Sequence, residues 1–218
     1  MSAVDTDSSM QDRRKMKVEV ISATPFPIDV VSQAAGTCYG KYDVSEKRMR
    51  SCFKAGHLSV FEHASVTFRI EGISRACMAQ LTRHRLASFC VESQRYNRYD
   101  FEGTDWFVTP AAFTEQKVMG NWMLESWFCT KMKEAAADYR AALADGIKPE
   151  DARYLLPEAT KTNLVMTVNC RELFHFFDMR LDKSAQWEIR ELANAMSEAV
   201  ALRSQQWSDI IELYGGTE

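Results

Sequence analysis

The sequence predicts an α+β protein, in which a mixed or antiparallel sheet is packed by long helices. Segments that alternate like strands occur between helical stretches, and no βαβ rhythm repeats along the chain. The 218 residues are 46% hydrophobic and 26% charged, which is typical of a globular domain with an ample core. We expect a single domain over 17–218, with a helical segment at about 114–146, after a flexible polar tail over 1–16.

Two segments in the first third of the chain alternate between apolar and polar residues, which predicts half-buried strands. The first covers 17–21 and the second covers 65–70, where Gly72 is expected to end the strand. A helix is predicted after Pro25, and two serines are suited to cap further helices. These serines are Ser45, before a helix over 46–55 that Gly56 stops, and Ser74, before a helix over 75–84. A loop is expected from Ser88 to Arg98.

The longest helical stretch is predicted over 115–144, where Ala, Met, Leu, Lys and Glu are frequent. Gly120 weakens it and marks a candidate break. A continuous helix would be about 45 Å long, so we expect part of it to pack against another subunit. Three further elements are predicted: a short helix from Pro149, a strand over 163–168, and a helix over 171–180 with Asn169 as its N-cap. The last predicted element is a final amphipathic helix over 185–214. Its expected core residues are Trp187, Leu192, Met196, Trp207 and Ile211.

Composition excludes several classes of protein. The formal net charge of −3 argues against a general nucleic-acid-binding protein. No apolar run approaches the roughly 20 residues that a membrane span needs. The polar N-terminal segment also lacks the apolar stretch of a secretory signal. We therefore expect a cytoplasmic protein with no membrane partner.

The six cysteines, at positions 38, 52, 77, 90, 129 and 170, show no CxxC spacing. Neither a zinc ribbon nor a thioredoxin-like site is therefore predicted. In a cytosolic protein they are expected to be reduced thiols, mostly packed as small apolar residues.

Positive charge is concentrated in one segment. Residues 75–98 contain five arginines, one glutamate, no lysine and no aspartate. Two of these arginines flank a histidine in the triplet 83–85, and such a triplet at a helix end needs anionic partners if it is buried. Guanidinium groups match phosphate oxygens in pairs, so the segment is suited to a phosphate and the ring edges of a nucleotide. The alternative is a solvated basic face with internal ion pairs. A downstream loop adds a hydroxyl, an amide and a third guanidinium, from Ser93, Gln94 and Arg95.

Two histidines, His57 and His63, lie six residues apart with Glu62 beside the second. This spacing is poor for a helix and no third ligand is evident, so no metal site is predicted. We expect hydrogen bonds in a packed turn, or one imidazole lining a ligand pocket.

A third group of polar residues follows Asn169. Arg171 and His175 are four residues apart and share one helix face. Arg180 lies about half a turn out of phase with Arg171, which indicates two ligands, or one ligand that two subunits contact. The alternative is that Arg180 simply pairs with Asp182 or Glu188.

The triplet 83–85, followed after seven residues by Ser93 and then by Arg95 and Tyr96, resembles the signature of flavin-dependent thymidylate synthases. Three further segments resemble conserved parts of that family, and together the similarity covers roughly residues 18 to 200. These segments are 57–63, 152–157 and 167–189.

The resemblance implies an α+β fold and a homotetramer whose active sites lie between subunits. The implied enzyme is a methyltransferase that makes dTMP from dUMP. Methylenetetrahydrofolate would supply the carbon, and FAD that NADPH has reduced would supply the hydride. No nucleic-acid partner is implied.

Residue roles also follow from the resemblance, by position. Arg180 would be the catalytic residue, because it would face the uracil ring and favour ionisation at N3. FAD would be contacted by His57, Ser59, Arg83, His84, Arg85, Val91, Asn169, Cys170, Arg171 and His175. The dUMP ligands would be Gln80, Leu81, Thr82, Arg83, Val91, Glu92, Ser93, Gln94, Arg95, Arg153 and Arg180.

Four positions depart from the commonest family pattern: Cys90, Val91, Glu92 and Ser184. Glu92 adds a negative charge near the expected nucleotide loop. No cysteine nucleophile is implied by the resemblance, so Cys90 is not assigned that role. Ser93 has no evident base to activate it and is interpreted as a binding hydroxyl.

Two other functions stay open at this point. The first is a protein of the same fold that binds flavin and nucleotide without synthase activity. The second is a single-stranded nucleic-acid binder, because aromatic residues are interleaved with the arginines. These aromatic residues are Phe89, Tyr96, Tyr99 and Phe101.

Overall fold

The computed structural model describes residues 16–99, 101–114, 118–119 and 122–215. The α+β prediction is confirmed, since helices and a four-stranded sheet are both present. The predicted tail, apart from Met16, lies outside the described residues, as does Gly120.

The strands and helices have the following bounds in the described part of the chain. The strands are β1 (Lys17–Ala23), β2 (Ser65–Ser74), β3 (Ser88–Val91), β4 (Val118–Met119), β5 (Trp122–Met123) and β6 (Lys161–Asn169). The α-helices are α1 (Pro27–Thr37), α2 (Glu46–Lys54), α3 (Arg75–Leu81), α4 (Ala111–Thr114), α5 (Leu124–Ala144), α6 (Pro149–Ala152), α7 (Cys170–Arg180), α8 (Trp187–Ala201) and α9 (Gln205–Gly215). Two short 3₁₀ helices cover Leu58–His63 and Arg153–Leu155.

The chain divides into two compact units, which are described separately. Unit 1 contains Gly72–Ala79 and Val91–Asn163. Unit 2 contains Lys17–Glu71, Gln80–Cys90 and Leu164–Glu218.

The four-stranded sheet has the order β1-β2-β6-β3. Strand β1 runs antiparallel to β2, with an irregularity between Val20 and Ser22. Strands β2 and β6 are also antiparallel, because contacts at higher residue numbers of β2 are made by lower residue numbers of β6. The Cys170 N–H donates to the Ala64 carbonyl at 2.8 Å, and the Thr67 and Thr167 hydroxyls are 3.0 Å apart. The two strands expected over 17–21 and 65–70 are therefore present as β1 and β2, and they are antiparallel neighbours.

Strand β2 extends further than predicted. Gly72 does not end it, because the strand continues to Ser74. Gly72 adopts a φ of 77°, which a glycine tolerates at little cost. Its N–H donates to the side-chain oxygen Oδ1 of Asn163 at 3.0 Å, so this backbone donor has an acceptor. The prediction of a loop from Ser88 was also wrong for its first four residues, since residues 88–91 form β3.

The helix after β2 is shorter than predicted. Ser74 caps it as expected, because its hydroxyl accepts the Cys77 N–H at 3.0 Å. The helix ends at Leu81, so His84 lies in the following turn and not on the helix. Ser45 likewise caps α2 by accepting the Arg48 N–H.

An aromatic cluster forms part of the core of unit 2. Phe61 of the 3₁₀ helix is fully buried and packs edge-on against Phe53 of α2, at 5.7 Å between ring centroids. Phe174 of α7 lies 5.4 Å from each of these rings. Tyr214 of α9 stacks on Phe174 at 5.5 Å. Four elements that are distant in sequence are therefore joined by aromatic contacts.

The predicted final helix is two helices, so the expectation of one continuous helix was wrong. The chain turns after Leu202, and the Ser204 hydroxyl accepts the Trp207 N–H at 3.3 Å to start α9. The turn changes the phase of the buried positions. Ile210 is therefore buried and Ile211 only partly so, while Trp207 is buried as expected.

The long helix of unit 1 is also shorter than predicted. Helix α5 has 21 residues, about 32 Å at 1.5 Å per residue. The chain before it contains a hairpin, in which Val118 pairs with Met123 and Met119 with Trp122. Because Val and Trp favour strands, this segment pairs before the helix starts. The end of the helix is as predicted, with Gly146 at a φ of 87°.

The core of unit 1 is also rich in aromatic residues. Phe101 and Tyr139 are buried, with ring centroids 5.3 Å apart. Tyr99 stacks on Phe101 at 5.1 Å. A second cluster contains Phe107 and Phe128.

The six cysteines are free thiols, as predicted. Cys77 and Cys170 are buried, but Cys38 and Cys90 are exposed. Cys52 and Cys129 are partly buried, so four of the six are packed at least in part, as expected, and the exposed pair is the exception. Among the described helices, none combines the length and apolar character needed to cross a membrane.

Phe61→Ala should lower the free energy of unfolding by about 3–5 kcal/mol, because it removes a fully buried ring and leaves a cavity. The matched control is Phe26→Ala, since Phe26 is 63% exposed and its removal should cost far less. Urea unfolding followed by circular dichroism measures both variants. Equal losses would contradict the proposed importance of the aromatic cluster.

Candidate functional site

Unit 1 contains a cavity of about 390 Å³, a size typical of small-molecule sites. Two residues predicted to bind dUMP, Gln94 and Arg153, line it together with Arg75 and Glu158. Tyr154 is largely exposed at the same cavity. A charged and amide-bearing lining of this kind suits a polar anionic ligand.

Two arginines at this cavity are held by backbone carbonyls. Arg75 Nη2 donates to the Glu92 carbonyl at 3.0 Å, and Arg153 Nε donates to the Glu150 carbonyl at 3.0 Å. Arg75 Nε is buried and has no hydrogen-bond partner among the described residues. Burial is the main cause that lowers the pKa of Arg75. A buried donor without a partner is costly, so the surroundings of this guanidinium favour an additional acceptor.

Glu92 points its carboxylate at protein groups of unit 1. Its two oxygens accept from the Tyr99 hydroxyl at 2.9 Å and from Asn163 Nδ2 at 2.8 Å. Burial, followed by the bond to Glu92, raises the pKa of Tyr99 to about 12. The Glu92 N–H also donates to the Asn163 carbonyl. Glu92 therefore anchors the start of the loop that carries Ser93.

The polar side chains of the loop after Glu92 differ in burial and in the groups that they contact. Gln94 is buried, whereas Arg95 is exposed. Arg95 pairs with Glu150 at 3.2 Å and lies over the Tyr96 ring at 5.4 Å. The Ser93 hydroxyl accepts the Arg95 N–H at 3.2 Å. Val91, the last residue of β3, is partly buried.

In unit 2, the triplet 83–85 follows α3 in a turn. Its central imidazole, His84, is only 3% exposed, whereas Arg83 and Arg85 are exposed. In the part of the chain that the structure describes, neither arginine has an ion-pair partner. Two cations without internal neutralisation therefore lie beside a buried histidine.

His84 connects α7 to this turn by two contacts. Its Nδ1 lies 3.2 Å from Glu172 Oε1, and its Nε2 accepts from Arg180 Nε at 3.1 Å. Arg180 Nη2 also donates to the Gln80 carbonyl at 3.5 Å. Because a guanidinium can only donate, we assign the imidazole proton to Nδ1 and the accepting lone pair to Nε2. Burial, the largest cause, and the Arg180 charge lower the pKa of His84, while Glu172 opposes them.

The remaining predicted flavin ligands of unit 2 have varied surroundings. Asn169 caps α7 by accepting the Glu172 N–H at 2.9 Å. Cys170 is fully buried, and this burial raises the pKa of its thiol. The Cys170 N–H donates to the Ala64 carbonyl. Exposed Arg171 pairs with Glu62. The other side chains are placed as follows: His57, Ser59 and His175 are exposed, Gln80 and Thr82 are partly buried, and Leu81 is buried.

Arg171 and Arg180 contact different neighbours, in line with their spacing. Arg180 contacts His84 and Gln80, while the Asp182 carboxylate accepts from Ser184 instead. The alternative in which Arg180 pairs with Asp182 is therefore not what the structure shows.

The chain matches the family model described as "Thymidylate synthase complementing protein" over residues 19–203. It is 40% identical over 192 residues to a flavin-dependent thymidylate synthase of Geobacter sulfurreducens, which covers 83% of this chain and 80% of that protein. It is 38% identical over 200 residues to a flavin-dependent thymidylate synthase of Pyrococcus furiosus (86% of this chain, 80% of that protein). The corresponding protein of Halobacterium salinarum is 36% identical over 231 residues (88% of this chain, 92% of that protein).

The chain belongs to the flavin-dependent thymidylate synthase family. The resemblance inferred from the triplet 83–85 is thereby confirmed.

Two polar residues at the candidate sites, Glu172 and Arg75, were given no role from the sequence. Glu172 lies three residues after the N-cap Asn169, a position where an acidic residue commonly supports a helix start. Its burial beside His84 could not be inferred from that pattern. Arg75 was counted in the arginine-rich segment but given no role, because nothing in the sequence places it at the cavity.

His84, Glu172 and His175 offer nitrogen and oxygen atoms that lie within 4.8 Å of one another. Such a set is compatible with a metal ion in principle. Both ring nitrogens of His84 are nevertheless engaged, and the Arg180 cation lies beside one of them. The arrangement therefore favours a hydrogen-bonded network over a metal centre.

Two of the four aromatic residues considered for single-stranded nucleic acid, Tyr99 and Phe101, are packed within unit 1, whereas Tyr96 is exposed. Phe101 is buried and stacks with Tyr99, whose hydroxyl is bonded to Glu92. Exposed stacking platforms are what such binding requires. No observation of the structure or of the comparisons favours this alternative.

Glu92→Ala should lower the free energy of unfolding by about 1–3 kcal/mol, because it leaves the Tyr99 hydroxyl and the Asn163 amide without their acceptor. Glu92→Gln keeps one carbonyl acceptor and should cost less. Chemical denaturation of both variants checks this order. If the Ala variant is as stable as the parent protein, the carboxylate does not anchor the loop.

Stability should decrease as the pH falls below 6.5, the ordinary pKa of a histidine. The folded state holds His84 neutral because burial and Arg180 lower its pKa, so in this window the unfolded chain binds a proton that the folded chain does not. The loss continues until the pH reaches the lowered pKa of the folded state. Thermal unfolding at a series of pH values, compared with His84→Gln, measures this contribution. An unchanged pH dependence in the variant would contradict it.

Proposed function

We propose that this chain converts dUMP to dTMP, with methylenetetrahydrofolate as carbon donor and NADPH-reduced FAD as hydride donor. The observation that carries the proposal is the Arg-His-Arg triplet 83–85 of unit 2, in which exposed Arg83 and Arg85 have no ion-pair partner among the described residues. The family match over residues 19–203 supports it.

The side chains present fit a flavin. A reduced flavin and its pyrophosphate are anionic, and the exposed guanidinium groups of Arg83 and Arg85 are suited to neutralise such charge. FAD, when bound, supplies the hydride chemistry. His57, Ser59, Arg171 and His175 are exposed and able to contribute hydrogen bonds. The proposed contacts of His84, Val91, Asn169 and Cys170 would come mainly from backbone groups or from the Asn169 amide.

We assign the phosphate of dUMP to the cavity of unit 1. Arg153 and buried Gln94 line it, and Arg153 is oriented by its bond to the Glu150 carbonyl. Because this hydrogen bond already restricts the guanidinium, ligand binding costs it little further conformational entropy. By the family resemblance, the further proposed dUMP ligands are Val91, Glu92, Ser93, Arg95, Gln80, Leu81, Thr82 and Arg83. Among these, buried Leu81 would contribute only its backbone, and Glu92 would act by holding the loop.

Arg180 is the proposed catalytic residue. A guanidinium facing the uracil ring stabilises negative charge at N3 and so favours its ionisation. Two of its five N–H donors are used by His84 and Gln80. The remaining donors of the fork can therefore be directed at the base.

The assembly and location are also proposals. We propose a single catalytic domain over 17–218 that forms a homotetramer, in which active sites lie between subunits. The proposed location is the cytoplasm, and the partners are dUMP, folate and NADPH, with neither nucleic acid nor membrane.

The test is dTMP formation by the purified protein after bound flavin has been removed. The assay contains dUMP, methylenetetrahydrofolate, NADPH and FAD, and FAD and NADPH are omitted in turn. Product that requires both supports the proposal. A flavin spectrum that dUMP perturbs, without product, would indicate the binding protein without synthase activity. If neither flavin binding nor product is found, the proposed function is wrong.

Arg180→Ala should lower kcat for dTMP formation by about 10²–10³-fold, because it removes the charge that stabilises the ionised base. Arg153→Ala should instead raise the KM for dUMP about ten- to a hundredfold, with a smaller change in kcat. Cys90→Ser is the matched control and should retain activity. Steady-state kinetics with varied dUMP separate these effects. A loss of activity in the Cys90 variant would point to a cysteine nucleophile and contradict the assignment.

A further inference from the structure

A buried chain of three side chains lies behind the proposed catalytic guanidinium of unit 2. Glu172 and His84 are 5% and 3% exposed, and Arg180 is half-buried. The imidazole lies between the carboxylate and the guanidinium, at 3.2 Å and 3.1 Å. We infer that His84 and Glu172 are positioning residues, which orient Arg180 for the uracil ring. This inference rests on the proposed function.

The direction of each hydrogen bond is determined by chemistry. A guanidinium has only donors, so the contact at Nε2 exists only if that nitrogen carries a lone pair. The proton of the neutral imidazole must then lie on Nδ1, where the Glu172 carboxylate accepts it. Glu172 therefore selects the tautomer that can hold Arg180, as a carboxylate does for histidines in other sites.

The surroundings of His84 keep the imidazole neutral. The titratable and charged groups that face it are Glu172, Arg180 and His175, and its ring also packs against Phe176 at 5.0 Å. The ring of His175 lies 5.9 Å away. With Glu172 negative and Arg180 positive, the three-residue chain is neutral only when the imidazole is uncharged. Protonation of His84 would put an N–H against the Arg180 N–H and break the contact.

The side chain of His84 is not free for a direct role. Both of its ring nitrogens are used, and the ring is buried. We therefore expect the effect of this side chain on the reaction to pass through Arg180. The Gln80 carbonyl, 3.5 Å from Nη2, gives the guanidinium a second point of attachment, so that its orientation in the plane is defined by two acceptors.

Two substitutions of His84 separate positioning from a merely structural role. His84→Asn places its amide near the original Nδ1 and removes the acceptor at Nε2. His84→Gln can place an amide oxygen near Nε2. We expect the Asn variant to lose about ten- to a hundredfold in kcat/KM, the value of a hydrogen bond to a charged group, and the Gln variant to recover most of it. His63→Asn, an exposed histidine without a proposed role, is the control and should not change activity.

The same substitution in an Arg180→Ala background completes a double-mutant cycle. His84→Asn should then have little further effect, because the group that it positions is absent. If kcat/KM falls by the same factor in both backgrounds, the inference is wrong and His84 supports the fold in general.

Glu172→Gln supplies a test that does not require the His84 variants to fold. Because Glu172 opposes the lowering of the His84 pKa, its neutralisation should move the acid limb of the kcat/KM profile to lower pH. An acid limb at unchanged pH would count against the positioning role.

A measurement on the ligand-free protein separates this inference from the proposed function. Long-range ¹H–¹⁵N NMR at neutral pH should show His84 protonated at Nδ1 and unprotonated at Nε2, with the signals assigned by their absence in His84→Gln. A proton on Nε2 would overturn the inference whatever the protein catalyses. If the protein makes no dTMP and the tautomer is as expected, the proposed function fails while the contact to Arg180 stands.

Discussion

The buried imidazole of His84 places the strongest constraint on this structure. It must accept from a guanidinium on one side and donate to a carboxylate on the other, and both partners come from one helix, α7. This requirement determines how the turn after α3 and helix α7 face each other within unit 2. It also separates the triplet 83–85 into one inward and two outward side chains. The flanking arginines are exposed, whereas the histidine between them is buried.

Unit 1 uses a different solution for its cavity. There the arginines are held by backbone carbonyls, and the acidic side chain of the loop is bonded to Tyr99 and Asn163. The carboxylate thus contributes to scaffolding, whereas the guanidinium groups of Arg75 and Arg153 remain at the cavity. Hydrogen bonds to protein acceptors orient Arg75 and Arg153 in unit 1 and Arg180 in unit 2.

The sequence predicted the fold class and most strands and helices, because alternation and capping are local signals. Ser45, Ser74 and Asn169 each cap a helix as expected. The errors concern the length and phase of helices and the short strands β3, β4 and β5, which were not predicted. The hairpin before α5 and the turn after Leu202 depend on pairing and packing that helical propensity does not report. At the candidate sites, the sequence indicated which residues carry charge but not which are buried. The roles of Glu172 and Arg75 follow from three-dimensional neighbours that spacing along the chain does not encode.

Glu92 illustrates how an apparently unfavourable substitution can be neutral for a binding site. An acidic residue in a loop that is proposed to contact a nucleotide would normally repel its phosphate. Here the two carboxylate oxygens accept hydrogen bonds from Tyr99 and Asn163. These bonds stabilise the negative charge and hold the side chain against the protein. Compatibility of a residue with a binding loop thus depends on whether the protein interior offers it an alternative partner. A change at Tyr99 or Asn163, outside the loop itself, would therefore alter whether the loop tolerates an acid.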